Sequence, residues 1–188
     1  MIISVLYGST RQNRQGVKAA RFICDQVRQR GHEVHLIDAC NPELPMLDLM
    51  YKEFEEGEAP EVLQRIHEQL EASDGFILVS GEYNHSIPPA LKNLIDHFQS
   101  EYLYKPSALV TYSAGPFGGV RVGPHLRAIT GELGMISIPT MLPVSRVGKS
   151  FDDDGKPLDD AYNRRAERFL NEFDWYLRAF KAERERRS

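Results

Sequence analysis

Cysteine is scarce in this sequence: only Cys24 and Cys40 occur, with no CxxC pair and no His/Cys cluster around them. That excludes a disulfide framework or a zinc site as the organising feature, and both thiols read as reduced and structural. An excess of positive charge is also missing. Lys and Arg total 23 against 27 Asp and Glu, a formal net charge of −4. Such a chain has no broad attraction to nucleic-acid backbones or anionic lipid, so neither partner is expected. No apolar run approaches the roughly 20 residues of a membrane span, and the opening MIISVLYGST carries no basic leader. The expected location is therefore cytoplasmic.

What remains is ordinary globular material. The 188 residues are 41% hydrophobic and 27% charged, enough for one well-buried core, and residues 1–188 read as a single domain. Residues 2–7, IISVLY, form a short, nearly continuous apolar run that stops at Gly8, as a strand covered on both faces would. A helical stripe of Val17, Ala20, Cys24 and Val27 follows, closed by Gly31. Residues 33–38 supply a second strand. This strand-helix-strand unit should cross over right-handed.

Residues 39–60 hold Pro42, Pro45, Gly57 and Pro60 among acidic residues and read as a long connection. A helix with Leu63, Ile66 and Leu70 inward leads to a third strand at 75–80. Pro88 opens the next helix, carrying Leu91, Leu94, Ile95 and Phe98. A fourth strand at 107–112, a helix from Arg121 to Leu133 and a fifth strand at 135–142 complete the alternation. The last helix, about 159–183, should turn Phe169, Phe173, Tyr176, Leu177 and Phe180 inward, with KAERERRS as a solvated, fraying end. Five strands alternating with helices predict an α/β doubly wound, flavodoxin-like parallel sheet of order 2-1-3-4-5, with helices on both faces.

That architecture predicts where a ligand sits. Open parallel sheets bind beyond the carboxyl ends of their strands where the winding reverses, here after strands 1 and 3. The first of these loops, Gly8 to Gly16, sets hydroxyls, amides and guanidinium groups before a helix N-terminus, an arrangement that favours phosphate. It contains neither GxGxxG nor a P-loop, so a phosphomonoester fits better than a dinucleotide or a triphosphate. A polar helix cap with solvated Arg11 and Arg14 would look similar. The second loop, Gly81-Glu82-Tyr83-Asn84-His85-Ser86-Ile87-Pro88, offers consecutive amides to the edge of a flat heterocycle, though a capped surface turn fits it equally. The third, Ser113 to Gly119, has three glycines that permit close backbone approach. The acidic turn Asp152-Asp153-Asp154-Gly155 lacks the ligand spacing of a calcium loop and reads as solvated, so no metal site is expected.

GSTR at 8–11, EYNHSIPPALKNLIDHF at 82–98 and YSAGPFGG at 112–119 stand in an order and spacing that resemble the NAD(P)H-dependent FMN reductases. This family of flavodoxin-like fold includes quinone, azo-dye and chromate reductases. The most specific stretch is the second, where the family pattern reads PEYNxSxPGxLKNxxD. Gly81 and Pro89 replace its usual Pro and Gly, and Asn13 and Gln15 stand where Ser and Asn are common.

The resemblance implies bound FMN, with NAD(P)H as electron donor and a small molecule (quinone, flavin, azo or nitro compound, or metal oxyanion) as acceptor. It implies that Ser9, Arg11, Gln15, Gly16 and Val17 cradle the FMN phosphate and that Glu82, Tyr83, Asn84 and His85 hold the ring and ribityl chain. Ser113, Gly115, Gly118 and Gly119 would line the ring's other side. In such an enzyme the flavin carries the chemistry, so no catalytic side chain is assigned, and His85 is read as binding only. The helix at 88–98 resembles the family's dimer-forming helix, implying a dimer or tetramer. The rival readings are a flavodoxin-type electron carrier reduced by a protein partner, and a noncatalytic module binding another phosphorylated ligand.

Overall fold

The computed structural model describes residues 1–41 and 43–187. Five strands, β1 (Ile2–Tyr7), β2 (Glu33–Asp38), β3 (Gly75–Gly81), β4 (Pro106–Tyr112) and β5 (Ile136–Val144), form one parallel sheet of order β2-β1-β3-β4-β5. The flavodoxin-like α/β topology expected from the strand-helix alternation is the one observed.

Strand periodicity sorts the side chains into two cores. Ile3, Val5, Ile77, Val79, Ala108 and Val110 face one side, where α1 (Gly16–Gln29) and the long C-terminal helix pack. Leu6, Phe76, Leu78 and Leu109 face the other, beneath α2 (Glu61–Glu71), α3 (Pro89–Asp96) and α4 (Val122–Glu132). A short α5 (Val147–Ser150), which no sequence signal announced, follows β5. The final helix, α6, runs Ala161–Arg187.

Two local expectations change. The KAERERRS end does not fray within the described residues: α6 stays helical to Arg187 because tertiary charges hold it. Lys181 Nζ lies 2.8 Å and Arg184 Nη2 3.1 Å from Asp74 Oδ1, and Arg184 also donates to Tyr104 O. Asp74 in turn accepts the Ile2 N–H at 3.0 Å, so one carboxylate ties α6 to the start of the sheet. Phe180, expected inward, is only partly covered and lines a shallow groove with Tyr104, because α6 has by then run past the strand ends. The acidic turn at 152–155 keeps Asp153 and Asp154 exposed, as expected, and is also anchored to α1: Asp153 pairs with Lys18 at 2.9 Å, and a Cβ on Gly155, at φ +88°, would meet Lys18 O at 2.8 Å.

Candidate functional site

Three loops leave the carboxyl ends of β1, β3 and β4 and meet at one cleft. Its walls are Ser9, Arg11, Asn13, Arg14, Gln15 and Gly16 from the first loop, Gly81, Glu82 and Tyr83 from the second, and Tyr112, Ser113 and Ala114 from the third, with Val147 behind. The enclosed space is about 250 Å³. It stands at the reversal of winding between β1 and β3, where the topology places a ligand.

The first loop is pinned from below. Arg14 donates to Ser9 O at 3.0 Å and to Asp38 Oδ1 at 2.5 Å, and its guanidinium lies 5.1 Å from the Tyr7 ring centroid. Its hydrogen bond to the Asp38 carboxylate raises the guanidinium pKa. Arg14, open to a solvated reading on sequence, is thus a brace. Ser9, only 3% exposed, places its Oγ 3.0 Å from Tyr83 Oη and links the first two loops. α1 begins at Gly16; the Lys18 N–H already bonds Gln15 O at 3.2 Å, which leaves the Gly16 and Val17 amides at the positive end of the helix dipole without an intrahelical partner.

The second and third loops are joined by Glu82. Its carboxylate, 10% exposed, accepts Arg121 N–H and Arg121 Nη1, both at 3.1 Å, while the Arg121 guanidinium lies 4.9 Å over Phe117. Asn84 and His85 adopt left-handed backbone, φ 50° and 68°, and Tyr83 and Ser86 exchange two backbone bonds at 2.9 Å around them. The tight turn therefore projects both side chains outward, and both are exposed.

Of the thirteen residues singled out on sequence, Ser9, Arg11, Gln15, Gly16, Glu82, Tyr83 and Ser113 come together in the cleft. Val17 lies on its flank, in a groove with Gln12, Lys18 and Arg21. Gly118 and Gly119 are buried behind the third loop, against Pro143 and the Tyr112 backbone respectively. Gly115 is exposed with open space beside it. Asn84 and His85 stand at the turn outside the cleft wall.

The residues present suit a phosphorylated flavin. The first loop supplies hydroxyl, amide, guanidinium and helix-terminus donors to an anion. At Gly16 a Cβ would lie 2.1 Å from the Tyr112 ring, so only glycine lets the helix start that close to the cleft floor. Comparison with known proteins points to the same cofactor. A family model described as NADPH-dependent FMN reductase matches residues 1–148. The chain belongs to that family.

A quinone reductase of Pseudomonas putida is 30% identical over 190 residues, covering 96% of each chain. An NADPH azoreductase of a Bacillus species is 27% identical over 162 residues, covering 84% of this chain and 86% of its own. Among solved structures, FerB, a flavoenzyme NAD(P)H:(acceptor) oxidoreductase from Paracoccus denitrificans, superimposes with a TM-score of 0.76 at 22% identity. The alignment covers 95% of this chain and 98% of FerB. This family member is an enzyme of the NAD(P)H-dependent FMN reductase and quinone reductase type. No helix among its described residues is long and apolar enough to cross a membrane.

Sequence reasoning missed three features of the site. Asn13 and Arg14 line the cleft beside the residues named from the first loop, and Tyr112 floors it. Tyr112 was counted as the last residue of a core strand. A hydroxylated aromatic at the carboxyl end of a strand, immediately before a site loop, was the available signal.

Proposed function

We propose that this chain is an FMN-dependent NAD(P)H oxidoreductase that passes electrons from NAD(P)H through bound FMN to a small acceptor such as a quinone, a flavin, an azo or nitro compound, or a metal oxyanion. The observation that carries this reading is the meeting of three βα loops at the switch point, with anion donors at one end of the cleft and peptide edges at the other. Residues 1–188 act in this reading as one FMN-binding domain. Bound there, the flavin would supply the hydride-accepting and electron-donating chemistry.

The protein's own part is to bind, orient and tune. Ser9, Arg11, Gln15 and Gly16 hold the phosphate at the start of α1, with Asn13 beside them. Glu82 and Tyr83 hold the ring and ribityl edge, with Asn84 and His85 at the turn. Ser113, Gly115, Gly118 and Gly119 shape the far wall. In the second and third loops the amides of Glu82, Tyr83, Ser86 and Ser113 are engaged within the protein, and the others are the donors left to stabilise negative charge on a reduced ring. No nucleophile or general acid is needed from the side chains.

Self-association belongs to the same reading. Met46, Leu47 and Leu49 are exposed beside α3, where Asn93 holds the segment by accepting Leu47 N–H and donating to Pro45 O. A dimer or tetramer formed over this face would cover them, and sedimentation as a monomer at micromolar concentration would contradict it.

The test of function is the visible spectrum of FMN-loaded protein under nitrogen, before and after NADPH or NADH. Bleaching of the flavin bands supports the reductase. Bands that persist with both nucleotides favour an electron carrier, and no bands after reconstitution remove the flavin site altogether.

A further inference from the structure

Beneath Ser9 lie two phenols that the packing does not require. Tyr7 ends β1 and Tyr112 ends β4, both on the α1 side of the sheet, with ring centroids 6.3 Å apart. Tyr7 is 0% and Tyr112 7% exposed, and among the described residues neither hydroxyl completes a hydrogen bond. Buried hydroxyls are nearly always bonded, and an orphan carries a desolvation cost that phenylalanine would avoid. Two orphans side by side, next to Ser9, point to a chain of hydroxyls that is completed when an acceptor enters the cleft.

Their placement shows where it arrives. A Cβ built on Gly16 would fall 2.4 Å from Tyr112 Oη, and one on Gly81 3.1 Å from it. The Tyr112 ring therefore fills the floor between the end of β3 and the first helical residue of α1, and two glycines clear the room for it. Burial raises the pKa of both phenols, with the Ser9 hydroxyl opposing the shift in each case. Both remain protonated donors at ordinary pH, and both stand beside Ser9.

Ser9 Oγ has one proton and two lone pairs. Its present neighbour is Tyr83 Oη at 3.0 Å. We propose that Tyr7 and Tyr112 are positioning residues for phosphomonoester recognition: Tyr7 Oη donates to Tyr112 Oη, Tyr112 Oη donates to Ser9 Oγ, and the Ser9 proton is thereby directed to a phosphate oxygen in the cleft. With Tyr83 on the second Ser9 lone pair, every hydroxyl in the cluster has a partner once an anionic acceptor is present. A chain of hydroxyls pointing one way also strengthens its last member. The inference rests on the reading of this cleft as an FMN site and adds to it the source of discrimination between FMN and the unphosphorylated flavin. A site built to bond a group rejects the analogue lacking it, because its polar atoms are then left unpaired.

The test uses the full chain, stripped of flavin, and the variants Tyr7→Phe, Tyr112→Phe and the double variant. Dissociation constants for FMN and for riboflavin are measured by flavin fluorescence titration, and the flavin-free proteins are melted alongside. Tyr112→Phe should weaken FMN by about ten-fold, because the Ser9 proton is no longer directed into its charge-assisted bond to the phosphate, while riboflavin changes by less than about two-fold. Tyr7→Phe should have a smaller effect in the same direction. The double variant should be no weaker than Tyr112→Phe alone, because Tyr7 acts through Tyr112. The flavin-free variants should melt no lower than the parent, since an orphan hydroxyl has been removed. Equal weakening of FMN and riboflavin, or an unchanged FMN constant, overturns the proposal and leaves the flavin site standing. A parent protein that binds FMN no better than riboflavin overturns it too, by removing the phosphate site on which it rests.

Discussion

Lys105 reaches back from the start of β4 and donates through Nζ to Leu70 O at 2.9 Å, at the carboxyl end of α2. It gives a second bond, of 2.8 Å, to Glu71 O. The ammonium caps orphan carbonyls of a helix terminus and lies 5.7 Å over the Phe76 ring. Its burial pushes the pKa down to about 8. Between that value and the unfolded value near 10.4 the unfolded chain binds a proton that the folded chain lacks, so stability should rise with pH across this window. The gain is on the order of 3 kcal/mol if the full shift is realised. The neutral amine keeps two N–H groups for the two carbonyls, so the cap survives deprotonation. Buried Cys24, whose thiol burial pushes up to about 12, works in the opposite sense above pH 9, so the informative quantity is a difference. Urea melts of the parent and of Lys105→Met from pH 7 to 10 should show the parent's stability rising relative to the variant's. Parallel curves would reject the assignment.

The two thiols should separate kinetically. Cys24 lies in the α1 core and Cys40 is exposed beyond β2. Reactivity follows thiolate population and access, and burial denies Cys24 both. A colorimetric thiol reagent at pH 8 should titrate one equivalent rapidly in native protein and two in denaturant. Two rapid equivalents would contradict the burial of Cys24 in the α1 core, and protection of Cys40 would contradict its exposure beyond β2.

Asp74 carries a third expectation. Burial works to raise its pKa, but hydrogen bonds from Lys181 and the Ile2 amide, with the Arg184 charge, outweigh it and hold the carboxyl below the usual range. A depressed carboxylate contributes stability above its unfolded pKa, near 3.9, that is lost as pH falls through the lower folded value. Asp74→Asn should cost about 1–3 kcal/mol at pH 7, as charge-assisted bonds do. It should also flatten the acid limb of the stability curve below about pH 4. Amide exchange should quicken selectively after residue 177 if α6 is held as described, and an unchanged exchange pattern would mean that the helix end stands by its own propensity.

The sheet order was legible because each buried strand is a short apolar run stopped by Gly or a polar loop, and this local signal survives into the fold. The end of α6 was not. Nothing in KAERERRS alone distinguishes a frayed tail from a docked one, and the decision rests with Asp74, more than a hundred residues away. The cleft was partly legible: loop chemistry marked Ser9, Arg11, Glu82 and Tyr83, whereas the roles of Arg14 and Tyr112 depend on which strands lie adjacent. The outward turn of Asn84 and His85 follows from two consecutive left-handed residues, a conformation that Asn favours but does not dictate.

The Glu82–Arg121 pair should couple the second and third loops. Arg121 is 43% exposed in its side chain, so the ion pair alone contributes little, while the backbone N–H bond to a nearly buried carboxylate contributes more. A double-mutant cycle over Glu82→Gln and Arg121→Ala reads the side-chain pair alone and should give a coupling of about 0.2–0.5 kcal/mol in unfolding free energy. Glu82→Gln alone should speed flavin dissociation, since the third loop loses its anchor to the second. A coupling indistinguishable from zero would make the clasp incidental.

The glycines of the third loop should divide into two kinds. Gly119 has φ +71°, and a Cβ there would sit 2.5 Å from Tyr112 O, a backbone atom that cannot swing aside. Gly119→Ala should therefore cost about 2 kcal/mol or more in stability, from left-handed strain plus displacement of β4. Gly115 has nothing within 4 Å and no left-handed backbone, so Gly115→Ala should leave stability within about 0.5 kcal/mol of the parent. Its glycine is then explained by what must approach it from outside. If the flavin ring lies against this wall, Gly115→Ala should raise the FMN dissociation constant without lowering the melting temperature, the reverse of the Gly119 pattern. Two variants that lost stability and affinity together would show the loop to be one structural unit and remove Gly115 from the ring's surroundings.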